Sequence, residues 1–437
     1  MKMSGTMPRL LFLFSQLCIL GIFTACKTTS SELASQTSDT KVQAFIHEMY
    51  SKYNSGYVIQ DDADTPDDCA SFYVPSSPNV APKGVAVLFH GYTACPQQYW
   101  ELSQRLKENG YATLAVLLPG QGRGPAPFAY AGRLTGQEEV SAPIQEKDLR
   151  MIDGRHYADY YAEFIPKVQN GEWKRYLEFV EDVNKFAKSL PGEKVVGGLS
   201  VGGELANYAY IHSPTLYKRA LLIAPFYGMP GPDLIEKFSG VDLDSEALYK
   251  YQKKIVTLGS RLLPEVAKTE ISWGKDCYLQ TRGKDGNPGR RGICDFQWQH
   301  LAATNSVGDY VLSLLKDRKE LTEVPKVQYV AVDWDIGSNT VLARKAIAYQ
   351  QTRFGTNQVL ACFYPHSVPH ALISRKDLSL LPATPWLDGF ESQTVDFLVS
   401  GKPFAYDVKP SQEFIYDSTT GADMNVKQFA CAMEAAK

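Results

Sequence analysis

Residues 194–211 read Lys194-Val195-Val196-Gly197-Gly198-Leu199-Ser200-Val201-Gly202-Gly203-Glu204-Leu205-Ala206-Asn207-Tyr208-Ala209-Tyr210-Ile211. Lys194 to Gly197 is the short apolar run of a buried strand, and Leu205 to Ile211 is helical. Between them stands Gly198-x-Ser200-x-Gly202, followed by Gly203. A strand passes so abruptly into a helix only where side chains are missing at the corner. The glycines around Ser200 therefore predict a strained βα turn that lifts one hydroxyl to the tip of a sheet. A chance Gly/Ser-rich turn has the same composition; the strand–turn–helix context distinguishes the two.

Working outward, the same rhythm recurs. Val85 to Phe89 is a continuous apolar run bounded by Gly84 and His90-Gly91, as a buried parallel strand would be. A helix-like stretch, Tyr99 to Asn109, stops at Gly110. Further strands are predicted at Ala112–Leu118, Ala220–Ala224, Val327–Val332 and Gln358–Tyr364, with a helix at Tyr176–Leu190. Strands alternating with helices predict an α/β fold with a mostly parallel central sheet covered on both faces. Residues 122–170 and 227–298 break the rhythm with Pro, Gly, Tyr and charged residues. Both follow strands, on the side where such sheets keep their ligands, so the second is expected to form a cap or lid.

The N-terminus has a different character. Lys2 and Arg9 precede an apolar segment, Leu10 to Phe23, too short to span a bilayer comfortably. Phe23-Thr24-Ala25-Cys26 follows and resembles a bacterial lipoprotein cleavage box, which implies lipidation at Cys26; plain secretion and a retained anchor are the alternatives. The expected organisation is a signal peptide (1–25), a Ser/Thr-rich tether (26–40), a helix and lead-in (41–80), core (81–226), cap (227–298), core (299–400) and tail (401–437). Location in a bacterial cell envelope follows, lipid-anchored or else periplasmic or secreted.

Six cysteines remain after Cys18 and Cys26: Cys69, Cys95, Cys277, Cys294, Cys362 and Cys431. An even number in an oxidising compartment suggests disulfides, against a reading of buried free thiols. Cys277 and Cys294 flank a Gly/Arg/Lys-rich loop and are the first pair to expect. The formal net charge of −3 gives no reason to expect a nucleic-acid partner. Asp61, Asp62, Asp64, Asp67 and Asp68 lack the glycine and terminal glutamate of a calcium loop and read as a solvated turn.

An attacking serine needs preorganised N–H donors for the oxyanion it creates. Val201, next after Ser200, is one candidate, and Tyr92, just past His90-Gly91, is the other. His90 itself, at a strand end before glycine, reads as a loop organiser rather than a base. At this point Leu88-Phe89-His90-Gly91-Tyr92-Thr93, Gly110-Tyr111-Ala112 and Leu118-Pro119-Gly120-Gln121-Gly122, taken with the Ser200 corner, resemble the α/β-hydrolase superfamily. The likeness is to bacterial carboxylesterases and monoacylglycerol-lipase-like serine hydrolases, across residues 81–226 and 299–400. Those proteins usually have His where this chain has Gln121.

The resemblance implies an order of Ser, then Asp or Glu, then His. Asp335, deeper in the loop after Val327–Val332, is preferred to Asp333 as the acid. His370, before Ala371-Leu372, is preferred to His366 as the base. Zinc is not expected from His366 and His370, because Pro369 disfavours the helix that would align them and no glutamate follows His366. His47, His156, His212 and His300 have no motif context. The implied activity is hydrolysis of small-molecule or lipid carboxylic esters without metal or organic cofactor. The rival readings are an amidase, peptidase or acyltransferase on the same triad, and a non-catalytic binding protein.

Overall fold

The computed structural model describes residues 39–54, 69–76, 82–121, 151–152, 155–230, 257–272, 293, 295–318, 321–365, 368, 370, 372, 387–404, 414–417, 422–425 and 431–433. Its centre is an eight-stranded sheet. In chain order the strands are β1 (Phe72–Val74), β2 (Gly84–Phe89), β3 (Tyr111–Val116), β4 (Glu193–Leu199), β5 (Tyr217–Ile223), β6 (Lys326–Val332), β7 (Val359–Tyr364) and β8 (Ala432–Met433). Their spatial order is β1-β3-β2-β4-β5-β6-β7-β8. Neighbours from β3 through β7 run parallel, and the two outermost strands pair antiparallel. The mostly parallel α/β sheet expected from sequence is therefore present, with strand limits within a few residues of those expected.

Every residue of β2 and β3 is buried, because helices cover both faces. The period of two assigns the sides. Val85, Val87 and Phe89 face the cluster formed by a helix over residues 39–53 (α1), by α3 (Arg175–Ser189) and by α4 (Val201–His212). Ala86 and Leu88 face α2 (Trp100–Glu108) and the C-terminal helix Leu387–Ser400. Helix α1 is held against α3 by a stacked Phe45–Phe186 pair, with 3.9 Å between ring centroids, and by Lys52 on Asp182 at 2.6 Å.

Helix α5 (Trp298–Asp317) starts at the end of the expected cap. Its buried residues include Gln299, His300, Thr304 and Asn305, so an apolar period understates it. The 227–298 segment contributes a short antiparallel pair, Glu270–Ser272 with Asp295–Gln297. Trp298 N–H at the start of α5 donates to the Thr269 carbonyl at 2.8 Å, and Ile293 N–H ties the segment to the core by donating to the Thr93 carbonyl at 3.3 Å.

Among the described residues two disulfides are present, Cys69–Cys95 and Cys362–Cys431. The second staples the C-terminal tail beside β8 to β7, so this part of the tail completes the sheet edge. Cys277, Cys294 and Cys26 lie outside the described residues, as does Asp61 to Asp68. Among the described residues no helix is long and apolar enough to cross a membrane.

Candidate active site

The Ser200 corner is built as the glycines require. Ser200 has φ 56° and ψ −120°, a left-handed conformation that a side-chain-bearing residue adopts only under constraint. The constraint is visible on both sides. Its N–H donates to the Ile223 carbonyl of β5 at 2.8 Å. Its carbonyl accepts from Gly203 N–H at 2.9 Å, Glu204 N–H at 3.2 Å and Phe226 N–H at 2.9 Å. A Cβ at Gly198 would collide with the Gly202 carbonyl, and one at Gly202 with the Phe89 carbonyl. The strand, the helix and β2 approach one another through those missing side chains.

Asp335 leaves the end of β6 through a turn in which Trp334 also takes positive φ, 54°. The turn directs the carboxylate inward, where it is 2% exposed. Oδ1 accepts the Gly337 N–H at 2.7 Å, and Oδ2 accepts the Ser338 hydroxyl at 2.9 Å. Oδ2 also meets His370 Nδ1 at 2.7 Å. Gly337 backs the imidazole so closely that a Cβ there would collide with the His370 ring. Burial opposes a charge on His370, but the Asp335 charge and hydrogen bond together hold it above its ordinary value. With a proton on Nδ1, the lone pair falls on Nε2.

Asp333 has a different partner. It pairs with the Arg344 guanidinium at 2.7 Å, both being partly exposed, and that guanidinium lies over the Phe363 ring. The structure thus joins Asp335 to His370 and leaves Asp333 on the surface. His366 lies outside the described residues. Ser200, Asp335 and His370 come to one edge of the sheet because each follows the C-terminal end of a parallel strand, β4, β6 and β7. Among the described residues the Ser200 hydroxyl makes no hydrogen bond to the imidazole; such contacts commonly tighten only with substrate bound.

The loop after β2 is equally fixed. His90 Nδ1 donates to the Gly91 carbonyl at 2.7 Å, and its Nε2 accepts the Leu118 N–H at 3.0 Å. Burial lowers its pKa to about 4, so the ring stays neutral and acts as a brace between β2 and β3. Gln121 Oε1 accepts the Thr93 N–H at 2.8 Å, and its Nε2 donates to the Tyr176 hydroxyl at 3.4 Å. Gln121 therefore organises the loop in which Tyr92 stands. The Tyr92 ring packs edge-on against Phe296 of the 227–298 segment, 5.1 Å between centroids.

The other histidines are placed elsewhere. His300 is buried with Nδ1 at 3.3 Å from the Pro166 carbonyl, and its pKa is lowered to about 3 by burial. His156 and His212 lie beside Glu270 and Glu181. Sequence reasoning missed Gly337, Ser338 and Glu204. The first two carry no motif, and a glutamate inside a helix reads as solvent-facing.

A mostly parallel sheet with a serine at a strained βα corner, and an acid and a histidine after later strands, defines the α/β-hydrolase fold class. Among solved structures, the chain is similar to a monoacylglycerol lipase of Paleococcus ferrophilus, at 14% identity over 76% of this chain and 98% of that one, TM-score 0.44. It is also similar to a soluble variant of monoglyceride lipase from Saccharomyces cerevisiae (12%, 75% and 90%, TM-score 0.40) and to Est1E from Butyrivibrio proteoclasticus (12%, 76% and 93%, TM-score 0.40). No protein-family model and no curated protein matches the chain. At these identities and scores the likeness assigns no activity.

Proposed function

We propose that this chain is a serine hydrolase that cleaves carboxylic esters through an acyl-enzyme, with Ser200 as nucleophile, His370 as base and Asp335 as its orienting acid. The observation that carries this reading is the strained Ser200 corner at the same sheet edge as an imidazole bonded to a buried carboxylate at 2.7 Å. His370 Nε2 takes the Ser200 proton as the oxygen attacks the acyl carbonyl, and Asp335 steadies the imidazolium. The N–H groups of Tyr92 and Val201 receive the oxyanion, each donor contributing about 2.7–4 kcal/mol to the transition state. His370 then protonates the leaving alcohol, and water that it activates releases the acid. The proposed substrate is a small-molecule or lipid ester. Cys26 carries a lipid that holds the domain to a membrane of the cell envelope.

Labelling by a fluorophosphonate tests the nucleophile directly, alongside turnover of p-nitrophenyl esters and acylglycerols. The intact protein is expected to label and turn over. Ser200→Ala is expected to lose labelling and several orders of magnitude of turnover while melting as a folded protein. Turnover retained within about tenfold would remove Ser200 from the mechanism.

A further inference from the structure

Glu204 stands one helical turn after Ser200, on the same helix α4, and its N–H donates to the Ser200 carbonyl. Its side chain is fully buried, and neither carboxyl oxygen has a hydrogen-bond partner. Opposite it, helix α5 presents Gly308. A Cβ at that position would lie 2.8 Å from Glu204 Oε2 and 2.8 Å from Tyr227 Cα. The crossing of α4 over α5 thus leaves space for one carboxyl group and little else.

The groups facing it offer no countercharge. From α3 comes Tyr176, close enough that Glu204 influences its ionisation, with Arg175 beside it in sequence. Tyr92, on the loop after β2, likewise has a buried hydroxyl without a partner, and Tyr176 lies close enough to influence its ionisation. Tyr227 flanks the Gly308 contact, and Asn305 lies just under a turn before Gly308 with its amide nitrogen unpartnered. His300 and Asp309 are the other titratable groups on the buried side of α5. Among the described residues no lysine or arginine pairs with Glu204. Burial holds its carboxyl well above the ordinary value of 4.5.

We propose that Glu204 is a positioning residue that seats the nucleophile helix in its uncharged form and unseats it on losing its proton, so that hydrolysis carries a built-in alkaline limit. The inference rests on the reading of Ser200 as nucleophile. A carboxylate at this crossing must be hydrated, and water reaches it only if α4 and α5 part. The first turn of α4 contains Val201, whose N–H is the proposed oxyanion donor, so the parting acts on the chemical step and lowers kcat more than it alters KM.

The test compares the intact chain with Glu204→Gln, which keeps the shape and cannot ionise, and with Glu204→Ala. kcat and KM for a p-nitrophenyl ester are measured from about pH 5 to about pH 10, together with thermal midpoints. The unsubstituted protein is expected to lose kcat on the alkaline side, approaching tenfold per pH unit, and Glu204→Gln to hold its rate there. Glu204→Ala, which leaves a hole at the crossing, is expected to be slower and less stable at every pH. The midpoints supply a readout independent of turnover. Unfolded, Glu204 ionises near its ordinary 4.5; folded, it stays protonated to higher pH. The native protein therefore loses stability as pH rises through that window, Glu204→Gln does not, and the gap between them opens with pH. If no ester is turned over at all, the hydrolase reading falls while the midpoints still decide on Glu204. A gap independent of pH, or an alkaline limb that Glu204→Gln retains, overturns the proposal. So does a gap that opens while the two rate profiles stay alike.

Discussion

Asp335→Asn isolates the contact on which the site reading depends. Asp335 accepts from Gly337 N–H on Oδ1, and from the Ser338 hydroxyl and His370 on Oδ2. Asparagine keeps the Gly337 bond through its own oxygen and puts an NH₂ group where Oδ2 stood. The Ser338 hydroxyl can rotate to accept from that group. His370 cannot keep its proton on Nδ1 opposite a donor, so the proton moves to Nε2, the nitrogen that receives the Ser200 proton in the proposed mechanism. The expected loss in kcat at neutral pH is about four orders of magnitude, close to 5.4 kcal/mol of barrier. The pH dependence should shift too. A base must be neutral to act, and Asp335 is what raises His370; without it burial alone remains, and the acid limb of residual activity moves to lower pH. Asp333→Asn is the matched control: it removes one partly exposed ion pair with Arg344, worth at most about 1 kcal/mol of stability, and should leave kcat within tenfold or so. Steady-state kinetics with p-nitrophenyl esters, alongside thermal melts of each variant, decide the matter. If Asp335→Asn stays within about tenfold of the parent, or if Asp333→Asn is the severe change, the assignment of acid and base is wrong.

The disulfide Cys362–Cys431 closes a sequence separation of 69, for which the chain-entropy relation gives about 4 kcal/mol; Cys362→Ser should lower the urea midpoint accordingly, and an unchanged midpoint would contradict it. Non-reducing peptide maps of the same samples should show Cys69 joined to Cys95, and they also decide whether Cys277 and Cys294 pair. Cys26→Ser is expected to move the protein from membrane to soluble fractions; a variant that stays bound after salt washing shows that some other segment or surface holds it.

The parts of this molecule set by local chemistry were legible in the sequence. Apolar runs located β2 to β7, because burial on both faces leaves no room for polar alternation. Gly198 and Gly202 marked the Ser200 corner, since backbone contacts there exclude any side chain. His90 reads from sequence as a loop organiser, and the structure gives it two backbone partners. What could not be read depends on residues distant in the chain. Asp333 and Asp335 sit two positions apart on one loop, and only the turn at Trp334 directs one to Arg344 and the other to His370. The starting point of α5 is obscured by its buried polar residues, among them His300, whose Nδ1 meets the distant Pro166 carbonyl. Cysteine spacing could not reveal that Cys362 meets Cys431, because that pairing follows from β8 adding itself to the edge of β7. Glu204 is the clearest case. A sequence reports a charged residue in a helix, and only the crossing of α4 over Gly308 removes water from around it, which is why the Ser200 corner is legible in the chain and its surroundings only in the tertiary structure.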